Sequence, residues 1–175
     1  MAMELTLDEA VVLELMKALK AKRGRIDKLS LEKLVFLVAH GEFNERGELV
    51  GLRAFPRLGV DYRVYFKGVH SRDIHEILDR LRLKGLVTVD QGRIEIADIS
   101  DVTPSINDPD VRRAVENAAR YASLDPKELE ELINSLLGIK SETAKALVFN
   151  ASVVKLLKAR EEAKKLRSQG LLVDV

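Results

Sequence analysis

Three histidines, His40, His70 and His75, are all the imidazole that this 175-residue chain offers for metal binding or proton transfer. His70 and His75 stand five apart, whereas a helical zinc pair needs i and i+4 on one face, so the spacing argues against a metal centre. Cysteine is absent, which removes thiolate metal sites, disulfides and cysteine nucleophiles together. No Gly-x-Ser-x-Gly occurs, and Ser30, Ser71, Ser105 and Ser141 are placed to act as helix caps or turn residues. The glycine-spaced stretch from Gly41 to Gly51 lacks a following Lys-Ser or Lys-Thr pair, so it is not a phosphate loop. The carboxylate pairs Glu130–Glu131 and Glu161–Glu162 fall on helical patterns and read as solvated faces, with Glu161 spaced to pair with Lys165 at i+4. These residues point away from an enzyme and call for no metal or organic cofactor.

The elements that carry these residues follow from periodicity. Thr6 and Glu9 form a capping box ahead of Val12, Leu15, Met16 and Leu19, which predicts a first helix running to about Lys22 and ended by Gly24. Ser30 is placed to cap a second helix with the stripe Leu31, Leu34, Val35 and Val38, closing near Gly41. Glu48 to Phe55 reads as a short strand, and Tyr62, Val64 and Phe66 alternate with polar neighbours as the apolar face of another, broken by Gly68. Ser71 then caps a helix carrying Ile74, Ile77, Leu78 and Leu81, and Gly85 stops it. Leu86 to Val89, Gln91-Gly92 and Arg93 to Ala97 read as a hairpin. Past the turn-rich stretch from Asp98 to Pro109, helices are expected at about Asp110 to Ala122, Pro126 to Leu137 behind Asp125, and Glu142 to Arg167 behind Ser141. The fold class expected is mainly α with some β. A winged-helix-like unit over 1–98 holds a small sheet and hairpin, and a C-terminal helical bundle over 99–175 packs with it or stands apart.

Composition agrees with a globular chain, at 46% hydrophobic and 33% charged residues. No apolar run approaches the roughly 20 residues that cross a bilayer, and the first residues lack a secretory signal, so a cytoplasmic home is expected. Abundant Lys, Arg and Glu with only Gln91 and Gln169 lean towards a thermophilic source. Net charge is +1, and the chain through Asp98 holds 17 basic and 16 acidic residues against 12 and 12 beyond it. Neither part is a basic module of the kind that lives by phosphate contacts. The one cationic stripe is Lys17, Lys20, Lys22, Arg23, Arg25 and Lys28, which suits a helix C-terminus and is also the candidate nucleic-acid contact, with Arg93 at the hairpin tip.

The run Leu29 to Val38, Leu-Ser-Leu-Glu-Lys-Leu-Val-Phe-Leu-Val, resembles the opening motif of the Panacea domain family, the antitoxin SocA-like proteins. Tyr65 to Ser71 and Leu81 to Val87 occupy the places of that family's aromatic strand and Gly-Pro-Tyr-Ser turn and of its later Gly-Leu-Ile, with Val69 for the proline and His70 for the aromatic. The resemblance spans about residues 10–98 and implies a non-enzymatic, antitoxin-like or adaptor module that binds another protein.

Two functions are compatible with such a unit. Opposite its apolar stripe, the Ser71 helix carries Arg72, His75, Glu76, Asp79, Arg80 and Leu83. A groove-reading helix pairs cations with amides and hydroxyls and avoids carboxylates, so this face fits a protein partner better than DNA. A DNA-binding regulator is the runner-up. Between Ala144 and Leu157 only Lys145, Asn150, Ser152 and Lys155 are polar, so this predicted helix is either core or a homodimer seam through Leu147, Val148, Ala151 and Val154.

Overall fold

The computed structural model describes residues 4–97 and 106–171, so most of the turn-rich stretch from Asp98 to Pro109, with Ser105 in it, lies outside the described residues. Helix α1 (Leu7–Arg23) starts at the Thr6–Glu9 capping box and stops where Gly24 takes φ +74° and donates to the Lys20 carbonyl. After it come β1 (Ile26–Asp27) and α2 (Lys28–His40). The α2 cap is Asp27, whose carboxylate accepts from the Ser30 amide at 2.8 Å, rather than Ser30 itself. An aspartate standing just outside the first turn supplies both the acceptor and the negative charge that a helix N-terminus favours.

Between α2 and the next helix lie two hairpins. The first pairs β2 (Gly41–Phe43) with β3 (Leu49–Leu52). The second pairs β4 (Arg63–Tyr65) with β5 (Gly68–His70), so the chain does not break at Gly68 but turns back there, at φ +87°. Phe66 stands in that turn and is 77% exposed, while Tyr62 and Val64 are fully buried. Helix α3 (Asp73–Leu83) follows; Ser71 lies one residue before its cap and accepts from the Asp73 amide at 3.2 Å. Strands β6 (Val87–Asp90) and β7 (Arg93–Ile96) close a turn in which Gln91 and Gly92 both have positive φ, the geometry a tight two-residue hairpin needs. Strand β1 adds to β7, giving one antiparallel sheet of order β1-β7-β6.

Helix α4 (Pro109–Ala119) is capped by Asp108, runs into a 3₁₀ turn (Arg120–Ser123), and is followed by α5 (Pro126–Leu137) behind Asp125. The expected long helix from Glu142 to Arg167 is two helices, α6 (Glu142–Leu147) and α7 (Val153–Ser168). Ser141 and Ser152 cap them, and Asn150 sits between them at φ +63°. The break has a cause. The inner edge of β4 needs partners, and residues 150–153 supply them: the Asn150 amide donates to the Val64 carbonyl at 2.7 Å and Val64 to the Ala151 carbonyl at 3.1 Å. The homodimer seam expected along one helix is therefore not one face: Leu147 is 82% exposed at the end of α6, Val148 and Ala151 lie in the connection, and Val154 is in α7.

One continuous apolar core joins the two expected parts. Val11, Leu15 and Leu19 of α1 and Leu34 to Ala39 of α2 belong to it together with Val111 and Ala118 of α4 and Leu129 and Ile133 of α5. Glu9 is buried too, and its carboxylate takes the Lys84 ammonium at 2.7 Å, locking the start of α1 to the end of α3. Burial alone would raise the Glu9 pKa, but the hydrogen bonds from Lys84 and Thr6 hold it below the usual carboxylate value.

Candidate functional site

Two charged residues stand on the most deeply buried helix. Glu32 and Lys33 are 4% and 1% exposed, and each is satisfied by the β4–β5 hairpin. Lys33 Nζ donates to the carbonyls of Lys67 (2.8 Å) and Val69 (2.6 Å). Glu32 Oε1 accepts from the Ser71 amide at 3.1 Å and pairs with His70 Nδ1 at 2.7 Å, while the Tyr62 hydroxyl donates to the Glu32 carbonyl at 2.7 Å. Burial holds the Lys33 pKa down to about 8 against the pull of Glu32 and Glu130, and pushes the Tyr62 phenol well up. Adjacent side chains of α2 thus grip the hairpin at its tip and at its exit into α3. With Nδ1 taken by Glu32, Nε2 is the ring nitrogen His70 has left for a ligand.

The hairpin carries an aromatic group. Tyr65 meets His70 edge-on at a centroid distance of 5.2 Å and Phe149 at 5.6 Å; Phe66 lies 4.7 Å from Phe149. His70 and His75 come within 5.9 Å despite belonging to different elements, because β5 feeds directly into α3. Neighbouring hollows share Tyr65, His70 and Arg72. One adds Asp61, Arg63, Asp73, Glu76 and Asn150, and the other adds Leu29, Glu32, Lys33 and Phe66 to Val69. None of Glu32, Lys33 or His70 stands out from spacing as a site residue. The available signal was two charges at the head of a helix that is apolar all round from Leu34 to Ala39.

Of the α3 face, Arg72, His75, Glu76, Asp79 and Leu83 are exposed, Leu83 at 89%. Arg80 is withdrawn from it: its guanidinium pairs with Asp8 of α1 at 2.8 Å. His75 is met by Lys28 Nζ, 2.6 Å from Nδ1, and Asp79 by Arg82 at 3.6 Å. Three of the six cations in the stripe are spent on carbonyls or a carboxylate. Lys20 donates to Gly24 O and Lys22 to Ala119 O, both at 3.0 Å, and Arg23 pairs with Asp27 at 3.0 Å. Lys20, Arg25 and Arg93 nevertheless line one groove beside the β6–β7 turn.

His40, the remaining imidazole, is fully buried with Nδ1 2.8 Å from the Arg53 carbonyl. Burial lowers its pKa, with the charges of Arg53 and Arg57 adding to the effect, so the neutral ring donates from Nδ1. Glu161 accepts from the Ala54 amide at 3.2 Å rather than pairing with Lys165. Among the described residues no group of three or more His, Asp or Glu side chains is arranged to hold a metal ion, and no helix is long and apolar enough to cross a membrane. Comparison with family models, with curated proteins and with solved structures returns no match to this chain.

Proposed function

We propose that this protein is a non-enzymatic regulatory or antitoxin-like module that binds another protein through the exposed face of α3. The observation that carries the reading is the state of that face. With Arg80 drawn back onto Asp8, it presents Arg72 and His75 beside the carboxylates of Glu76 and Asp79, and ends on the bare side chain of Leu83. Phosphates would meet carboxylates there, whereas a protein partner can cover the leucine and pair the charges. The helix order and the β1-β7-β6 sheet support the winged-helix reading of the unit expected over 1–98, with the two hairpins as an insertion before α3. The two segments that carry the resemblance to Panacea domains touch in this structure: Glu32 and Lys33 of the first hold Lys67 to Ser71 of the second.

The runner-up is duplex DNA gripped from the wing side, supported by the shared groove of Lys20, Arg25 and Arg93. Native purification separates the two when wild type and Leu83→Glu are compared for bound protein and bound nucleic acid. A protein that copurifies stoichiometrically with wild type and is lost from the folded variant is the expected result. Nucleic acid retained equally by both, with no protein, contradicts the reading.

A further inference from the structure

We propose that the hollow between the start of α2 and the β4–β5 hairpin binds a peptide segment in which a large apolar side chain is flanked by carboxylates. The proposal rests on the protein-binding reading and names a place and a chemistry for it. The hollow measures about 470 Å³, and Leu29, Tyr65 and Phe66 form its apolar walls. Phe66 is held out into solvent by anchored backbone. Lys145 Nζ donates to its carbonyl at 3.3 Å, and Lys33 holds the carbonyls of Lys67 and Val69 on the other side of the turn. An aromatic ring fixed in water gains about 25 cal/mol for each Å² of apolar surface that a ligand covers.

The charge is one-sided. Lys67 and Arg72 line the hollow with exposed cations, while its buried charges are already partnered, Lys33 by the Lys67 and Val69 carbonyls and Glu32 by His70 and the Ser71 amide. Among the described residues, neither the Lys67 nor the Arg72 side chain has an ion pair. An acidic segment brings the missing countercharges. A nucleic-acid strand also offers anions and a ring to stack on Phe66, but its phosphates would run on into the adjoining hollow, where Asp61, Asp73 and Glu76 outnumber Arg63 and Arg72 and Arg63 is already paired with Asp61 at 3.4 Å. Arg72 lines the hollow and opens the exposed face of α3, so the two surfaces are continuous.

Titration of the full chain with three short blocked peptides tests this, using amide NMR shifts and fluorescence anisotropy at physiological salt. The probes are Asp-Glu-Phe-Asp-Glu, Asp-Glu-Ala-Asp-Glu and Lys-Lys-Phe-Lys-Lys, with hexathymidylate as the nucleic-acid arm. The phenylalanine peptide with acidic flanks is expected to shift Lys67, Gly68, His70 and Ser71 and to bind at least tenfold tighter than the other three. Lys67→Glu and Arg72→Glu, both on exposed side chains, each weaken it at least tenfold, and Phe66→Ala does so with the charges intact. Equal binding of the alanine peptide, preference for hexathymidylate, shifts mapping elsewhere, or indifference to the charge reversals overturns the proposal. If the peptides fail while a copurifying protein is still lost with Leu83→Glu, the hollow is wrong and the α3 face stands; if no protein copurifies at all, the broader reading fails.

Discussion

Helix α2 and the stretch from Ala144 to Leu157, which spans the end of α6 and the start of α7, are both largely apolar in sequence and end in different environments. Every residue of α2 from Ser30 to His40 is buried, whereas in α7 only Val153 and Leu157 are. Apolar composition by itself therefore fixes neither burial nor helix continuity. In α2 nothing competes with the helical hydrogen bonds, and its two charges find partners in a hairpin. Between Leu147 and Val153 the peptide groups of β4 compete and win, because an unpaired buried backbone group costs about as much as a lost hydrogen bond, on the order of 1–3 kcal/mol.

The largest expected effect sharpens this contrast in burial. Leu34→Ala in α2 should cost about 2–5 kcal/mol in urea unfolding, while Lys164→Ala in α7 should stay within about 0.5 kcal/mol. Comparable losses at both sites would mean that α7 is as tightly integrated as α2. Next comes the ammonium grip: Lys33→Met leaves the Lys67 and Val69 carbonyls without their donor and should cost about 1–3 kcal/mol. It should also change the pH profile. Lys33 titrates near 8 when folded and near 10.5 when unfolded, so in that window the unfolded chain holds more protons and stability rises with pH. Below 8 the cost of the buried charge is fully present. The difference between wild type and variant, followed by urea midpoints from pH 7 to 10.5, should carry that rise, and a constant difference would count against a buried ammonium.

His40 acts at the other end of the same helix, with the same sign in a lower pH window. Its folded pKa lies below 6.5, so the unfolded chain takes up the proton first and stability falls as pH drops through 6.5, by at most about 1.4 kcal/mol per pH unit. His40→Phe should flatten that part of the profile measured by thermal melting. The smallest effect belongs to the break between α6 and α7. Asn150→Ala should cost about 1 kcal/mol and Asn150→Gly nothing measurable, because only the alanine is strained at φ +63°. Equal effects would show that the asparagine side chain, not the backbone, matters there.

Much of the fold was legible because local signals agreed with the tertiary outcome. The Thr6–Glu9 box, Gly24, Asp108-Pro109, Asp125, Ser141 and the Gln91-Gly92 turn all act where their chemistry places them. Boundaries failed where distant partners decided. β1 is two residues long and exists because β7 lies beside it, and the Val148–Ser152 break exists because β4 does. The α3 face was legible from helical spacing, except that Arg80 leaves it for Asp8, a residue 72 positions away. The Glu32–Lys33 grip on the hairpin was not legible, since charge on an apolar helix says that a partner is needed without saying which. A charge reversal at Arg80 would break its pair with Asp8 of α1, which leaves Arg72 and Leu83 as the probes of the α3 face.

The central claim, that α3 faces a protein and not a DNA groove, is tested most directly by fluorescence anisotropy of a labelled random-sequence duplex at 50 and 200 mM salt. The account predicts binding no tighter than about 10⁻⁴ to 10⁻⁶ M at the higher salt, with Arg72→Glu changing the salt slope by less than one unit. Nanomolar, steeply salt-dependent binding that Arg72→Glu abolishes would contradict it and give the α3 face to DNA.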